Sequence, residues 1–129
     1  MDLRKMKYAL LLLLASISSF SFAQKKELIQ DKEAILARAA EVFDASLRPG
    51  SEVYEAVIAE NLIGRYVLQV SFRDKGDISS VFVVDATDHD IRSQNRFKDL
   101  VHQCRMPFKM PKGRQYRSEH TFDLNSISR

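Results

Sequence analysis

Apolar and polar residues alternate most regularly over 65–73, where Tyr66, Leu68, Val70 and Phe72 interleave with Val67, Gln69, Ser71 and Arg73. A period of two sends successive side chains to opposite faces, so this stretch predicts a strand with one apolar face. DKGD, Asp74 to Asp77, predicts a tight turn with Gly76 at positive φ, and ISSVFVVD returns as the second strand of a hairpin. QYRSEHTFDL alternates again, placing Tyr116, Ser118, His120, Phe122 and Leu124 on one face. Helical spacing fills the intervals. Leu28, Ile35 and Val42 recur at seven, as do Leu36 and Phe43, which predicts a helix over 25–47 stopped by Pro49-Gly50. Such a stripe is expected to pack on its own domain; a dimer through this helix is the alternative, although a coiled coil wants more than about three heptads. SEVYEAVIAENLIG predicts a short helix or turn ending at Gly64. ATDHD offers N-caps to a helix that carries Phe97, Leu100, Val101 and Cys104 on one stripe. RMPFKMPKGR reads as a loop and NSISR as a frayed end. The expected class is α+β: a small three-stranded antiparallel sheet with helices on one face, preceded by an N-terminal amphipathic helix.

The first residues follow a different pattern. Arg4, Lys5 and Lys7 precede an unbroken run of apolar and small residues from Tyr8 to Ala23, and SFA stands before Gln24. The run is shorter than the roughly 18 residues of a spanning helix. It is read as a secretory signal cleaved after Ala23, with an uncleaved anchor as the alternative. The expected organisation is therefore a signal at 1–23, a helix and linker at 24–50, a domain at 51–124 and a tail at 125–129. Export would end in the periplasm or outside the cell.

Export changes how charge and cysteine are read. The whole chain is +3, but the leader carries most of that excess. Within the remainder, 90–129 hold nine Lys and Arg against four Asp and Glu, while 24–89 are acidic. A basic C-terminal third can attract an anionic partner or surface, though a solvated face is the simpler reading. One cysteine excludes an internal disulfide, so the fold must rest on its core.

Each candidate chemical group has a plainer structural reading. His102 and Cys104 are two apart on a helix and point to different sides, so they form no base–nucleophile pair and chelate no shared ion. Asp85, Asp88, His89 and Asp90 lack the regular spacing, turn glycine and distal Glu of a calcium loop, and are expected to sit at a strand-to-helix turn. Lys109, Lys112, Arg114 and Arg117 could hold anions, with lipid head groups or anionic polysaccharide favoured over nucleic acid in an exported chain. No phosphate-cradling loop, Ser/His/Asp arrangement or zinc spacing occurs. No catalytic residue, metal, cofactor, nucleic acid or small-molecule substrate is expected.

Taken in order, Tyr54, Ala56, Gly64, Val67, Phe72, Gly76, Ile78, Val81, Val83, Phe108, Pro111 and Gly113 resemble the pattern of the TonB C-terminal domain. The resemblance covers about residues 51–124. Glu55 stands where the family has proline, and the helix after the hairpin lacks the family's Leu-Asp start and its aromatic near the end. The chain also has three prolines in all and no proline-rich spacer. The resemblance implies a stand-alone module in which an edge strand captures an extended N-terminal peptide of an outer-membrane transporter, accessory to TonB-dependent transport. By this resemblance the edge would be the last strand, with Gln115, Tyr116, Arg117, Ser118, Glu119, His120 and Thr121 as the peptide-binding residues. Backbone pairing would supply most of the affinity, while Arg117 and Glu119 set charge preference. Two alternatives stay open: a structural periplasmic homodimer using its sheet edges, and an anion-binding envelope protein.

Overall fold

A computed structural model describes residues 26–129. The expected leader, its cleavage point and the expected helix start at Lys25 lie outside the described residues. From Lys26 to Gln30 the chain is extended: Lys109 N–H donates to the Glu27 carbonyl at 2.7 Å, and Ile29 N–H to the Lys109 carbonyl at 2.9 Å. Helix α1, Lys32–Ser46, therefore begins later than its heptad spacing predicted. Asp31 sets the start, its Oδ2 accepting the Ala34 N–H at 3.1 Å. Ile35, Ala39 and Phe43 are buried on one stripe of α1, whereas Leu28, read as the first rung, is 53% exposed.

Helix α2, Glu52–Ala59, buries Val53 and Val57. Strands β1, Arg65–Arg73, and β2, Ile78–Thr87, form the expected hairpin. The turn takes Gly76 to φ +89°, as its sequence predicted. Helix α3, Ile91–His102, is capped by Asp90, whose Oδ1 accepts the Ser93 N–H at 2.6 Å. Strand β3, Gln115–Asp123, returns to pair with β1. The sheet order is β2-β1-β3 and both pairings are antiparallel, so the fold is α+β. No helix among the described residues is long and apolar enough to cross a membrane.

The helices cover one face of the sheet. Tyr66, Leu68, Val70 and Phe72 of β1 point into that interior and are fully buried. Phe97 of α3 stacks on Tyr66 at 5.5 Å and meets Phe122 of β3 edge-on at 5.2 Å. Phe43 of α1 meets the same Phe122 at 5.6 Å, so α1 belongs to this core rather than to a separate unit.

Two stretches read as irregular are built into the structure. RMPFKMPK forms an extended strap in which Met106, Phe108 and Met110 are buried while Arg105, Pro107 and Lys109 are exposed. Met106 N–H donates to the Gly76 carbonyl at 2.8 Å, so the strap closes over the hairpin turn. The expected frayed tail is docked. Tyr54 donates its hydroxyl to the Ser128 carbonyl at 2.7 Å, and Asn125 Oδ1 accepts the Gly64 N–H at 2.9 Å. Arg129 donates to the Leu62 and Leu124 carbonyls. Together they pair the Gly64 N–H, the Leu62 and Leu124 carbonyls and the tail's own Ser128 carbonyl, which is what holds the tail down.

Three titratable groups link this packing to pH. Arg96 Nε donates to both Glu60 oxygens at 2.8 and 3.1 Å, and this contact holds the Glu60 carboxyl below its ordinary value. The Ser93 backbone N–H does the same for Asp90. Burial, aided by the Asp90 charge, pushes the Tyr66 hydroxyl up to about 12. A depressed carboxyl stabilises the fold above its unfolded pKa, and that contribution is lost as pH falls through the folded value. A raised tyrosine is neutral in stability below pH 10, the ordinary value, and costs stability as pH climbs toward 12. The urea midpoint is therefore expected to fall below the ordinary carboxylate values of 4.5 and 3.8, and again above 10. Glu60→Gln should reduce the acid fall and leave the alkaline one.

Candidate functional site

An edge strand half-uses its backbone: alternate N–H and C=O groups point away from the only neighbour. Both β2 and β3 are edges of this sheet, but they differ in regularity. Along β3 the register with β1 is unbroken from Arg65↔Asp123 to Arg73↔Gln115. Against β2 the register shifts twice, between Val67 and Leu68 and between Ser71 and Phe72, leaving Val84 and Ser79 without partners. Such bulges twist a strand and work against pairing on its far side. Among the described residues, β3 makes no backbone hydrogen bond beyond its ladder with β1. It is the straighter template for an added strand.

The residues expected to bind peptide divide by face. Gln115, Arg117, Glu119 and Thr121 are exposed on the face away from the helices. Gln115 Nε2 donates to Ser79 Oγ at 2.9 Å, reaching across β1. Tyr116, Ser118 and His120 point toward the helices. His120 is an anchor: its Nε2 lies 2.9 Å from Asp44 Oδ1, and its ring packs on Phe43 and Phe122 at 5.5 and 4.8 Å. It fastens β3 to α1, so its side chain is occupied by the fold. Tyr116 stacks on Phe72 at 5.8 Å, and its buried hydroxyl has no hydrogen-bond partner among the described residues. A buried unpaired hydroxyl costs about 1–3 kcal/mol. Tyr116→Phe is therefore expected to leave stability unchanged or raise it by up to about 1 kcal/mol, read as the midpoint of urea unfolding. A clear loss of stability would show that the hydroxyl is paired in solution.

The four residues of the expected anion patch do not all line one hollow. Arg117 and Lys32 line a hollow of about 320 Å³ beside Ser71, Gln115 and Tyr116. Lys109 and Lys112 line another of about 490 Å³, together with Lys26, Lys75, Asp74, Phe108 and Met110. Arg114 is exposed in the turn before β3 and lines neither. The strap pairs with the N-terminal segment through the Lys109 backbone, which places Lys26 beside Lys109 and Lys112. Lys26 and Lys75 were missed because they lie far apart in sequence. The period-two spacing of Met106, Phe108 and Met110 was the available sign that the strap pairs with something.

His102 is exposed at the end of α3, while Cys104 is half-buried with its Sγ 3.5 Å from the Leu100 carbonyl. Burial first, then the Glu52 carboxylate, push the Cys104 thiol up, which keeps it in the poorly nucleophilic protonated form. Asp90, from the acidic run before α3, is used as the helix cap. Compared with family models, curated proteins and solved structures, the chain matches none.

Proposed function

We propose that this protein is an exported, non-enzymatic binding module that takes an extended segment of a partner protein onto β3 as a fourth strand. The observation that carries the reading is the contrast between the two edges: β3 is regular over its whole length, and β2 is bulged twice. His120 and its contacts hold β3 rigidly against α1, so little ordering is left for the template when a peptide arrives. Exposed Arg117 and Glu119 alternate on the outward face and would choose the charges of the incoming strand, while backbone groups supply affinity. The resemblance of 51–124 to the TonB C-terminal domain suggests the partner: the N-terminal segment of an outer-membrane transporter, met in the periplasm.

The test is capture in place. Mature protein with a photo-crosslinker at Arg117 is exposed to envelope extract from its own organism, and the trapped species are identified. Capture of an outer-membrane transporter through an extended N-terminal segment is expected. Recovery of only the self-crosslinked dimer would mean that β3 is used between copies of the chain, and would overturn the proposal.

A further inference from the structure

Helix α1 lies over the edge that strand addition uses. Phe43 packs on His120 and Phe122 of β3, whereas Phe97 of α3 stacks on Tyr66 of the central strand. The two flanks of α1 face different ways. Val42 and Ala45 line a hollow shared with Val53 of α2 and Leu100 of α3, so their flank faces the other helices. Lys32, Leu36, Ala40 and Asp44 recur four apart, which puts them together on the opposite flank. That flank faces the space above the free side of β3, where a fourth strand would lie. Leu36 and Ala40, in its middle, are half-buried and keep part of their surface open. Its ends carry opposite charge. Beside the start of β3, Lys32 and Arg117 line the hollow of about 320 Å³, and both charged residues of that hollow are cations. Among the described residues, neither lies in an ion pair. At the far end, Asp44 holds His120 through Oδ1 yet keeps 61% of its side chain exposed.

From this arrangement we infer that the flank of α1 selects the added strand by its inward side chains. An acidic side chain sits at the hollow of Lys32 and Arg117, an apolar one against Leu36 and Ala40, and a basic one beside Asp44. The inference rests on strand addition at β3. An extended chain puts every second side chain on one face, so the three recur at i, i+2 and i+4. They then stand beside Tyr116, Ser118 and His120, the inward residues of β3. The order of acid and base fixes the direction of the added strand, because the two ends of the flank attract opposite charges. Exposed ion pairs are weak, so the backbone still supplies most of the affinity and the ends of α1 supply the choice.

The probes are end-blocked heptapeptides: Ser-Glu-Thr-Val-Thr-Lys-Ser, the same chain with Glu and Lys exchanged, and a neutral form with Gln at both places. Titration followed by nuclear magnetic resonance of the backbone amides reads site and affinity together. All three should perturb β3 amides. The better of the two charged orders should bind about fivefold tighter than the neutral peptide, and it reports the direction of the added strand. Replacing its valine by asparagine should weaken it by about fivefold, since that side chain lies against Leu36 and Ala40. Lys32→Gln changes an exposed residue at the start of α1 and is checked for an unchanged unfolding midpoint. It should cut the charge preference to about twofold and leave the neutral peptide's affinity as it was. This variant separates α1 from Glu119, which acts on the outward face only. Equal binding of the three peptides at β3, or a preference undiminished by Lys32→Gln, would overturn the inference and leave strand addition standing. If none of the peptides perturbs β3, strand addition itself fails and the inference fails with it.

Discussion

Gly64→Ala is expected to destabilise the protein by about 3 kcal/mol or more, a large share of the roughly 5–15 kcal/mol that holds a domain together. Gly64 sits at φ +128°, where L side chains are strained. A Cβ there would lie 2.5 Å from the Tyr66 ring carbon Cζ and hydroxyl oxygen and 2.7 Å from His89 Cβ. Tyr66 does not yield easily: it is fully buried and donates to the Ile63 carbonyl at 2.6 Å. Moving the glycine backbone instead breaks its bonds to Asn125 and to Leu124 N–H, which tie down the end of β3 and the tail. Gly50 gives the control, with φ +95° and nothing within 4 Å of an added Cβ. Gly50→Ala should cost only the backbone strain, about 1–2 kcal/mol. Urea unfolding of both variants checks this; equal losses would mean that the crowding at Gly64 is not the cause.

Phe97→Ala should cost about 3–5 kcal/mol, the usual range for removing a fully buried aromatic ring. The ring lies between Tyr66 of the central strand and Phe122 of β3, so its loss opens a cavity where α3 meets both. Phe82 gives the contrast. It is 64% exposed on β2, and Phe82→Ala should change stability by no more than about 0.5 kcal/mol. Both are read by chemical unfolding with the slope compared. A small loss at Phe97 would mean that α3 is not packed as described.

The hairpin was legible because its signals agree. The alternation of Tyr66, Leu68, Val70 and Phe72 matches the buried face residue by residue, and Gly76 takes the positive φ that the turn requires. Of the expected stripe Phe97, Leu100, Val101 and Cys104, the first three are buried on α3, whereas Cys104 lies past the end of the helix and is half-buried. Less could be read where a long-range bond decides the local shape. Leu28 fits the heptad of α1 yet is extended, because its backbone neighbours pair with Lys109 far along the chain. Pro107 and Pro111 make RMPFKMPK look irregular. Proline needs no N–H on the exposed side of a strap, so it interrupts the pattern without interrupting the structure. The tail is held by Tyr54, Gly64 and Leu62, contacts that no local feature of NSISR announces. For the candidate site, the strand and its inward face were readable, but not the occupation of His120 by Asp44. Nor could alternation show which edge is bulged, since Val84 and Ser79 slip out of register only against a specific neighbour. The cationic residues were readable as a group, but not which hollow each of them lines.

Amide hydrogen exchange resolved along β3 tests strand addition most directly. The protein is compared free and with a synthetic peptide matching the N-terminal segment of an outer-membrane transporter from the same envelope. Slowed exchange is expected at those amides of Gln115–Thr121 that do not bond to β1, with β2 amides unchanged and little response of the affinity to salt. Protection that appears along β2, or binding that leaves the outward amides of β3 exchanging freely, would contradict strand addition at this edge.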